Sequence, residues 1–187
     1  MSTVGTVNRI LGGDKFNQIY KDRRFIVITD ELDKFGEIKL VDGLNIDKTQ
    51  FTPYKDTPGG FHFVEQSKVY EWITIDHMYI RDVFIPSNAT VYINGDYFKS
   101  NMIVVENKRQ ISEDEQLCIT ILKSFVVSDS TGIKSKSEIY MSAIEKVGCS
   151  LKYIDDQTEN LCKDAVSQNG FALKYVKEQT EELCMYA

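Results

Sequence analysis

The sequence predicts an α+β protein in two parts: an amino-terminal mixed sheet domain with two or more helices over residues 1–130, and a small all-α tandem helical-hairpin repeat over residues 131–187. Three observations predict this. Short runs rich in β-branched and aromatic residues, separated by Gly, Pro, Asn and Asp, fill the first two thirds. A polar SDSTG stretch from Ser128 to Gly132 then marks a change of texture. After it, a 22-residue segment recurs in tandem, and a period in the low twenties means that each unit must stack on a neighbour to bury its apolar face.

In chain order, strands are predicted over 25–29, 37–41, 60–64, 78–85, 90–93 and 102–105. Asp42-Gly43, Pro58-Gly59-Gly60, Pro86-Ser87-Asn88 and Asn94-Gly95-Asp96 separate them, and the last suits a two-residue hairpin loop. One helix is predicted over 66–73, with Val69, Trp72 and Ile73 inward. A second runs over 113–125, with Leu117, Cys118, Ile121, Leu122 and Phe125 inward and Ser112 with Glu115 as a capping box.

Residues 143–164 read AIEKVGCSLKYIDDQTENLCKD and residues 165–186 read AVSQNGFALKYVKEQTEELCMY, identical at 10 of 22 positions without a gap. Within a unit, Thr158 suits the N-cap of a helix carrying Leu161, Cys162, Ala165 and Val166 on one face. Gly170 is then expected to end that helix in the left-handed conformation, with a short second helix through Phe171, Leu173, Tyr175 and Val176. Leu161, Cys162, Leu183 and Cys184 are expected to face one shared core. Ile139, 22 positions before Leu161, begins a weaker third register.

Composition narrows the function classes. A net charge of −6 and a pI near 5.0 fit poorly with nucleic-acid binding, which depends on Lys and Arg neutralising phosphates. No apolar run of membrane-spanning or signal length is present, so an unsecreted protein with no membrane partner is expected. Cys118, Cys149, Cys162 and Cys184 lie in apolar helical patterns without zinc spacing and read as reduced thiols; no metal and no cofactor are expected. Gly12-Gly13-Asp14-Lys15 lacks the spacing of a phosphate-binding loop.

Two readings of function from different classes follow. In the first, the chain is a non-catalytic interaction or assembly protein. Lys152-Tyr153 and Lys174-Tyr175, repeated at the same position of each unit, make a cation-plus-aromatic binding surface of the kind enriched at interface hot spots if they project on one side of the stack; the alternative, which the flanking Leu and Val or Ile favour, is that both tyrosines pack between repeats with the lysines extended over them. The apolar LCMYA terminus lacks a polar cap, so Leu183, Met185 and Tyr186 are candidates for self-association into a homo-oligomer, or for cover by the amino-terminal domain. In the second reading, the aromatic-His-aromatic strand around His62, followed by a helix holding Tyr70, resembles the nicotinamide-pocket strand of ADP-ribosyltransferase-like folds. That makes a nucleotide-handling enzyme with His62, Tyr70 and Glu106, or Asp96 in place of Glu106, as its catalytic set. The first is favoured.

The stretches DGLNID (42–47), PGGFHF (58–63), YIRDVFIP (79–86) and KSNMIVV (99–105) resemble the amino-terminal module of repeat proteins encoded by mimivirus-like giant DNA viruses, which in many of those proteins precedes ankyrin repeats. The 22-residue unit, with G-x-x-L-K-Y-[IV] and Q-T-E-x-L-C at its core, is similar to a short domain-of-unknown-function repeat abundant in the same viruses. The resemblance covers residues 40–187. It implies a viral protein with a host or viral protein partner, placed in the host cytoplasm or the virion, and implies no reaction.

Overall fold

The computed structural model describes residues 9–54, 57–74, 77–128 and 135–187, the three residues that end at Ser128 by backbone alone. The polar link expected at Ser128–Gly132 lies outside the described residues from Asp129 onward. The chain is a mixed α/β protein with a large antiparallel sheet and several helices. It divides into two compact units, Met1–Val69 with Tyr79–Lys108, and Tyr70–Met78 with Arg109–Ala187. The change of composition near residue 130 thus lies one helix downstream of the step from one unit to the other.

The first unit holds strands β1 (Arg9–Gly12), β2 (Phe25–Thr29), β3 (Lys34–Phe35), β4 (Ile38–Lys39), β5 (Gly43–Ile46), β6 (Phe61–Glu65), β7 (Tyr79–Phe84), β8 (Thr90–Asn94) and β9 (Tyr97–Ser100), most of β10 (Met102–Gln110), and helix α1 (Gly13–Ile19). Eight strands form one sheet in the order β1-β8-β9-β6-β2-β7-β10-β5, while β3 and β4 pair as a separate hairpin. The alternation along each strand decides its inward face. Phe25 and Val27, Phe61 and Phe63, Val91 and Ile93, and Phe98 share one core, which Phe16 of α1 completes. The rings of Phe16, Phe25, Phe63 and Phe98 lie 5.1 to 5.9 Å apart, largely edge to face, the arrangement their quadrupoles favour. Asn94 pairs with Tyr97, so Gly95-Asp96 is the hairpin loop, and Gly95 takes φ +61.

Five elements of this unit were not expected from pattern. The strands β1, β3, β5 and β9 are short, and helix α1 has a single turn's worth of apolar signal. Two buried charged groups were missed as well. Arg81 lies on the core-facing side of β7, bonded to both carboxylate oxygens of Asp33 at 3.2 and 2.6 Å and to Asp42. Lys99, wholly buried, donates from Nζ to the carbonyls of Tyr54 at 3.1 Å and Thr57 at 2.7 Å, tying down the loop between β5 and β6. Burial lowers the Lys99 pKa, opposed by the charge of Asp47.

The second unit holds α2 (Glu115–Ser128), α3 (Lys136–Lys146), α4 (Glu159–Gln168) and α5 (Glu181–Cys184), with 3-10 helices at Ile111–Glu113, Gly148–Tyr153 and Gly170–Tyr175. The expected helix over 66–73 is a 3-10 helix, Gln66–Glu71, which bridges the step between units. The capping box expected at Ser112 and Glu115 does not form. The 3-10 turn at 111–113 delays the helix, and Asp114 caps it instead, its Oδ1 accepting from Leu117 N at 2.9 Å. A capping box does form one helix later, between Ser135 and Glu138.

Thr158 caps α4 by accepting from Leu161 N at 3.3 Å, and Thr180 caps α5 by accepting from Leu183 N at 3.2 Å. The face built from Leu161, Cys162, Ala165 and Val166 is buried as expected from its spacing. Gly170 corrects the reading given above: it is not a left-handed C-cap. Asn169 closes α4 in an extended conformation, and neither Gly148 nor Gly170 has positive φ. The requirement is space. A Cβ on Gly148 would lie 2.5 Å from the Ala165 carbonyl oxygen, and one on Gly170 would lie 2.6 Å from that of Ala187. Cys184 is a second correction: it is exposed, whereas Cys162 is buried and lines a concavity together with Thr180 and Leu183.

Candidate functional site

The two 3-10 helices carry the Lys-Tyr pairs. In a 3-10 helix each residue lies near the one three places on, so the same six-residue pattern, with Leu buried or half-buried beneath it, turns Lys and Tyr outward in both copies. Leu151 and Ile154 anchor the first copy in the core, and Ala172 and Val176 anchor the second. Both lysines are exposed and both tyrosines half-buried.

The four side chains form one ladder. Lys152 Nζ lies 5.2 Å from the centroid of Tyr153 and 5.9 Å from that of Tyr175, between the two rings. Lys174 Nζ lies 4.9 Å from the Tyr175 centroid. All three distances fall within the range in which a ring face attracts a cation. The hydroxyl of Tyr153 beside Lys152 raises that ammonium's pKa, and Tyr175 does the same for Lys174. Burial pushes the Tyr153 hydroxyl up in turn, so near neutrality Lys152 and Lys174 are charged beside a protonated Tyr153. Glu115 acts on Lys152, and Glu113 on Lys174, as the nearby carboxylates of α2 and the turn before it.

Gln157 holds the two copies in register, and sequence reading did not single it out. Its Nε2 donates to Leu151 O at 3.1 Å in its own copy and to Tyr175 O at 3.0 Å in the next. Its Oε1 accepts from Lys177 N at 3.0 Å. Gln179, the identical residue 22 positions later, donates to Leu173 O at 2.9 Å. The recurrence of Gln at both positions was the available signal. Ion pairs add to the seam, Lys163 reaching Glu182 at 2.7 Å and Lys177 reaching Asp155 at 3.5 Å.

The other candidates are placed as follows. His62 is half-buried on β6, its ring 5.4 Å from Phe35 and 5.1 Å from Tyr97, with Lys99 as its cross-strand partner. Glu106 is exposed on β10, and two strands, β2 and β7, separate β10 from β6, roughly 14 Å along the sheet at the usual strand spacing. Tyr70 belongs to the other compact unit, with its ring 6.1 Å from Phe125. Of the terminal residues, Met185 is 83% exposed and Tyr186 is exposed, while Leu183 is only 2% exposed and is already covered within the chain. No helix among the described residues is long and apolar enough to cross a membrane.

No curated protein and no solved structure matches this chain. A family model described as Domain of unknown function (DUF4116) matches residues 137–180, a stretch that begins in α3, takes in the whole Lys-Tyr ladder and ends at the N-cap of α5.

Proposed function

We propose that residues 135–187 are two stacked copies of one 22-residue helical unit after a divergent first helix, and that they form a protein-binding module in a non-catalytic interaction or assembly protein. The ladder of Lys152, Tyr153, Lys174 and Tyr175 carries this reading, because the same charged and aromatic pair recurs in both copies and the four groups adjoin. Amphipathic tyrosines held by packing lose little entropy on binding, and the ammonium groups select for carboxylates. The partner that fits is a protein segment presenting acidic and apolar side chains together. The resemblance to repeat proteins of giant DNA viruses extends the proposal to a host or viral protein as that partner, met in the host cytoplasm or the virion.

The test is affinity capture with the full chain and with Lys152→Glu/Lys174→Glu, read by mass spectrometry and then by titration of the purified partner. A partner that binds the parent and loses at least tenfold affinity on charge reversal supports the proposal. Equal recovery on both baits would overturn it. Self-association is a second reading, favoured by the exposure of Met185 and Tyr186. Sedimentation of the parent and of Met185→Glu over a wide concentration range tests it, and a monomer throughout rejects it. The nucleotide-handling alternative has no comparable support, since His62 and Tyr70 belong to different compact units.

A further inference from the structure

Strand β5 is one edge of the large sheet, with β10 as its neighbour there. The register sets Leu44 against Val104 and Ile46 against Met102, and one residue further on Asp47 N donates to Asn101 O at 3.1 Å. In an antiparallel ladder, pairs that exchange backbone hydrogen bonds alternate with pairs that do not. The Asp47 bond therefore fixes the phase. Gly43 and Asn45 turn their backbone groups to β10, and Leu44 and Ile46 turn theirs to the open edge. Among the described residues, no other backbone group bonds to Leu44 or Ile46.

The side chains of this edge alternate in the same phase. Ile103 and Val105 enter the core, so Val104 and its cross-strand neighbour Leu44 lie on the opposite face, as does Ile46; Leu44 and Ile46 are each 53% exposed. Asn45 between them is buried and holds the entry to the strand, its Nδ2 donating to Val41 O at 2.8 Å and its Oδ1 accepting from Val41 N at 3.0 Å. An open edge with apolar side chains and neither Pro nor Lys within it is a template for another strand. Because Asn45 already fixes its shape, little freedom is lost on pairing.

The strand that fits is a second copy of β5. Laid antiparallel about a two-fold axis at Asn45, the second copy sets its Ile46 opposite Leu44, and its Lys48 opposite Asp42. Each Leu44–Ile46 pair then exchanges both backbone hydrogen bonds, outward groups meeting outward groups. Asp42, whose side chain is 80% exposed although it accepts from Arg81, faces the exposed Lys48, and opposite charges directly across two strands attract. Sliding one copy by two residues keeps the backbone phase but sets Asp42 against Ile46, or Lys48 against Leu44. Charge and apolar pattern thus select one register between identical strands.

We propose that β5 is a homodimer contact, in which two copies pair Leu44 with Ile46 and Asp42 with Lys48 and join their sheets edge to edge. With only a short strand from each copy, the contact belongs to the small end of interfaces, so the dimer forms at high protein concentration. It uses neither the Lys-Tyr ladder nor Met185 and is independent of both readings given above.

Sedimentation of the full chain from about 5 μM to about 1 mM, with amide exchange followed by NMR at both ends of that range, tests it. A dimer forms across the range. The Leu44 and Ile46 amides exchange at least about threefold more slowly at the upper end, whereas the Asn45 amide is protected throughout. Leu44→Lys and Ile46→Asp each weaken the dimer at least about tenfold, and Leu44→Lys/Ile46→Asp, which sets each new cation opposite a new carboxylate, dimerises more tightly than either single variant. Near-ultraviolet circular dichroism melts of these variants match the parent, since both side chains are exposed. Met185→Glu and Lys152→Glu/Lys174→Glu leave the dimer as in the parent. A chain that stays monomeric to the top of the range, a dimer abolished by Met185→Glu, Leu44 and Ile46 amide exchange that is independent of concentration, or a double variant no tighter than the singles would each overturn the proposal.

Discussion

Replacing Gln157 by Ala separates two residues that the sequence presents as equivalent. Gln157 makes three conventional hydrogen bonds to the backbone, at 3.1, 3.0 and 3.0 Å, two of them to the following copy. Gln179 makes one within its own copy, at 2.9 Å. At about 1 kcal/mol net for each bond, and with Gln157 half-buried rather than sealed from water, Gln157→Ala costs about 2–3 kcal/mol and Gln179→Ala about 1 kcal/mol or less. The carbonyl of Tyr175 and the amide of Lys177 also lose their side-chain partner, which pushes the first figure toward its upper end. The single tryptophan, Trp72, lies in the same compact unit, so its fluorescence reports the unfolding of that unit in urea. With a slope of about 1–2 kcal/mol per molar urea, the midpoint of Gln157→Ala falls at least about 0.5 M below that of Gln179→Ala. Equal midpoints for the two variants would refute the reasoning that Gln157 joins the copies.

Leu161→Ala, which empties a buried position of α4, lowers the stability of the second unit by about 2–5 kcal/mol in the same fluorescence assay; a cost near zero contradicts its core role. Gly148→Ala drives a methyl against the Ala165 carbonyl and costs about 1–3 kcal/mol although its backbone conformation is ordinary; an unchanged melt contradicts the space argument. Asp33→Asn costs the first unit about 3–5 kcal/mol by leaving Arg81 buried with Asp42 as its remaining acid partner, as followed by near-ultraviolet circular dichroism. Burial raises the Asp33 pKa, but hydrogen bonds from Arg81, Lys108 and Thr29 outweigh it and hold the carboxyl below its ordinary value. Its stabilisation is therefore complete above a pH of about 4 and is lost as pH falls through the lower folded value, a loss that Asp33→Asn removes. Among the thiols, Cys184 reacts first with a disulfide reagent at neutral pH, and Cys118 reacts only on unfolding, since burial pushes its pKa up to about 12. Because that folded value exceeds the unfolded one near 8.5, Cys118 contributes stability that is complete below the unfolded value and is lost as pH rises toward about 12; alkaline melts of Cys118→Ala check this.

Local pattern was sufficient where one short stretch decides its own fate. The β2 run at 25–29 forms over its expected span, and the Thr158 cap and the buried set Leu161, Cys162, Ala165 and Val166 follow from spacing alone. The Lys152–Tyr175 ladder was legible only in its phase: the repeat keeps Lys-Tyr at one position of each unit, but whether the tyrosines face outward or pack between the copies was left open by the sequence. What pattern misjudged was the reason for a residue. Gly170 reads locally as a helix terminator, yet its φ is not positive and its need is for room beside a carbonyl contributed 17 residues later. Leu183 and Cys184 read alike at the end of an apolar helix, but one is covered by its own chain and the other is not.

Residue order alone therefore determined several strands and helices, the buried face of α4 and the 22-residue phase, because backbone propensity, capping and side-chain periodicity act over a few neighbouring positions. It could not determine that Arg81 is buried against Asp33, 48 residues away, or that Lys99 is sealed beneath the carbonyls of Tyr54 and Thr57. Nor could it show that Gln168 and Asn169 turn their oxygens to the backbone. Charge burial and hydrogen-bond direction depend on which groups chain closure brings within about 3 Å, and only the tertiary structure makes that choice.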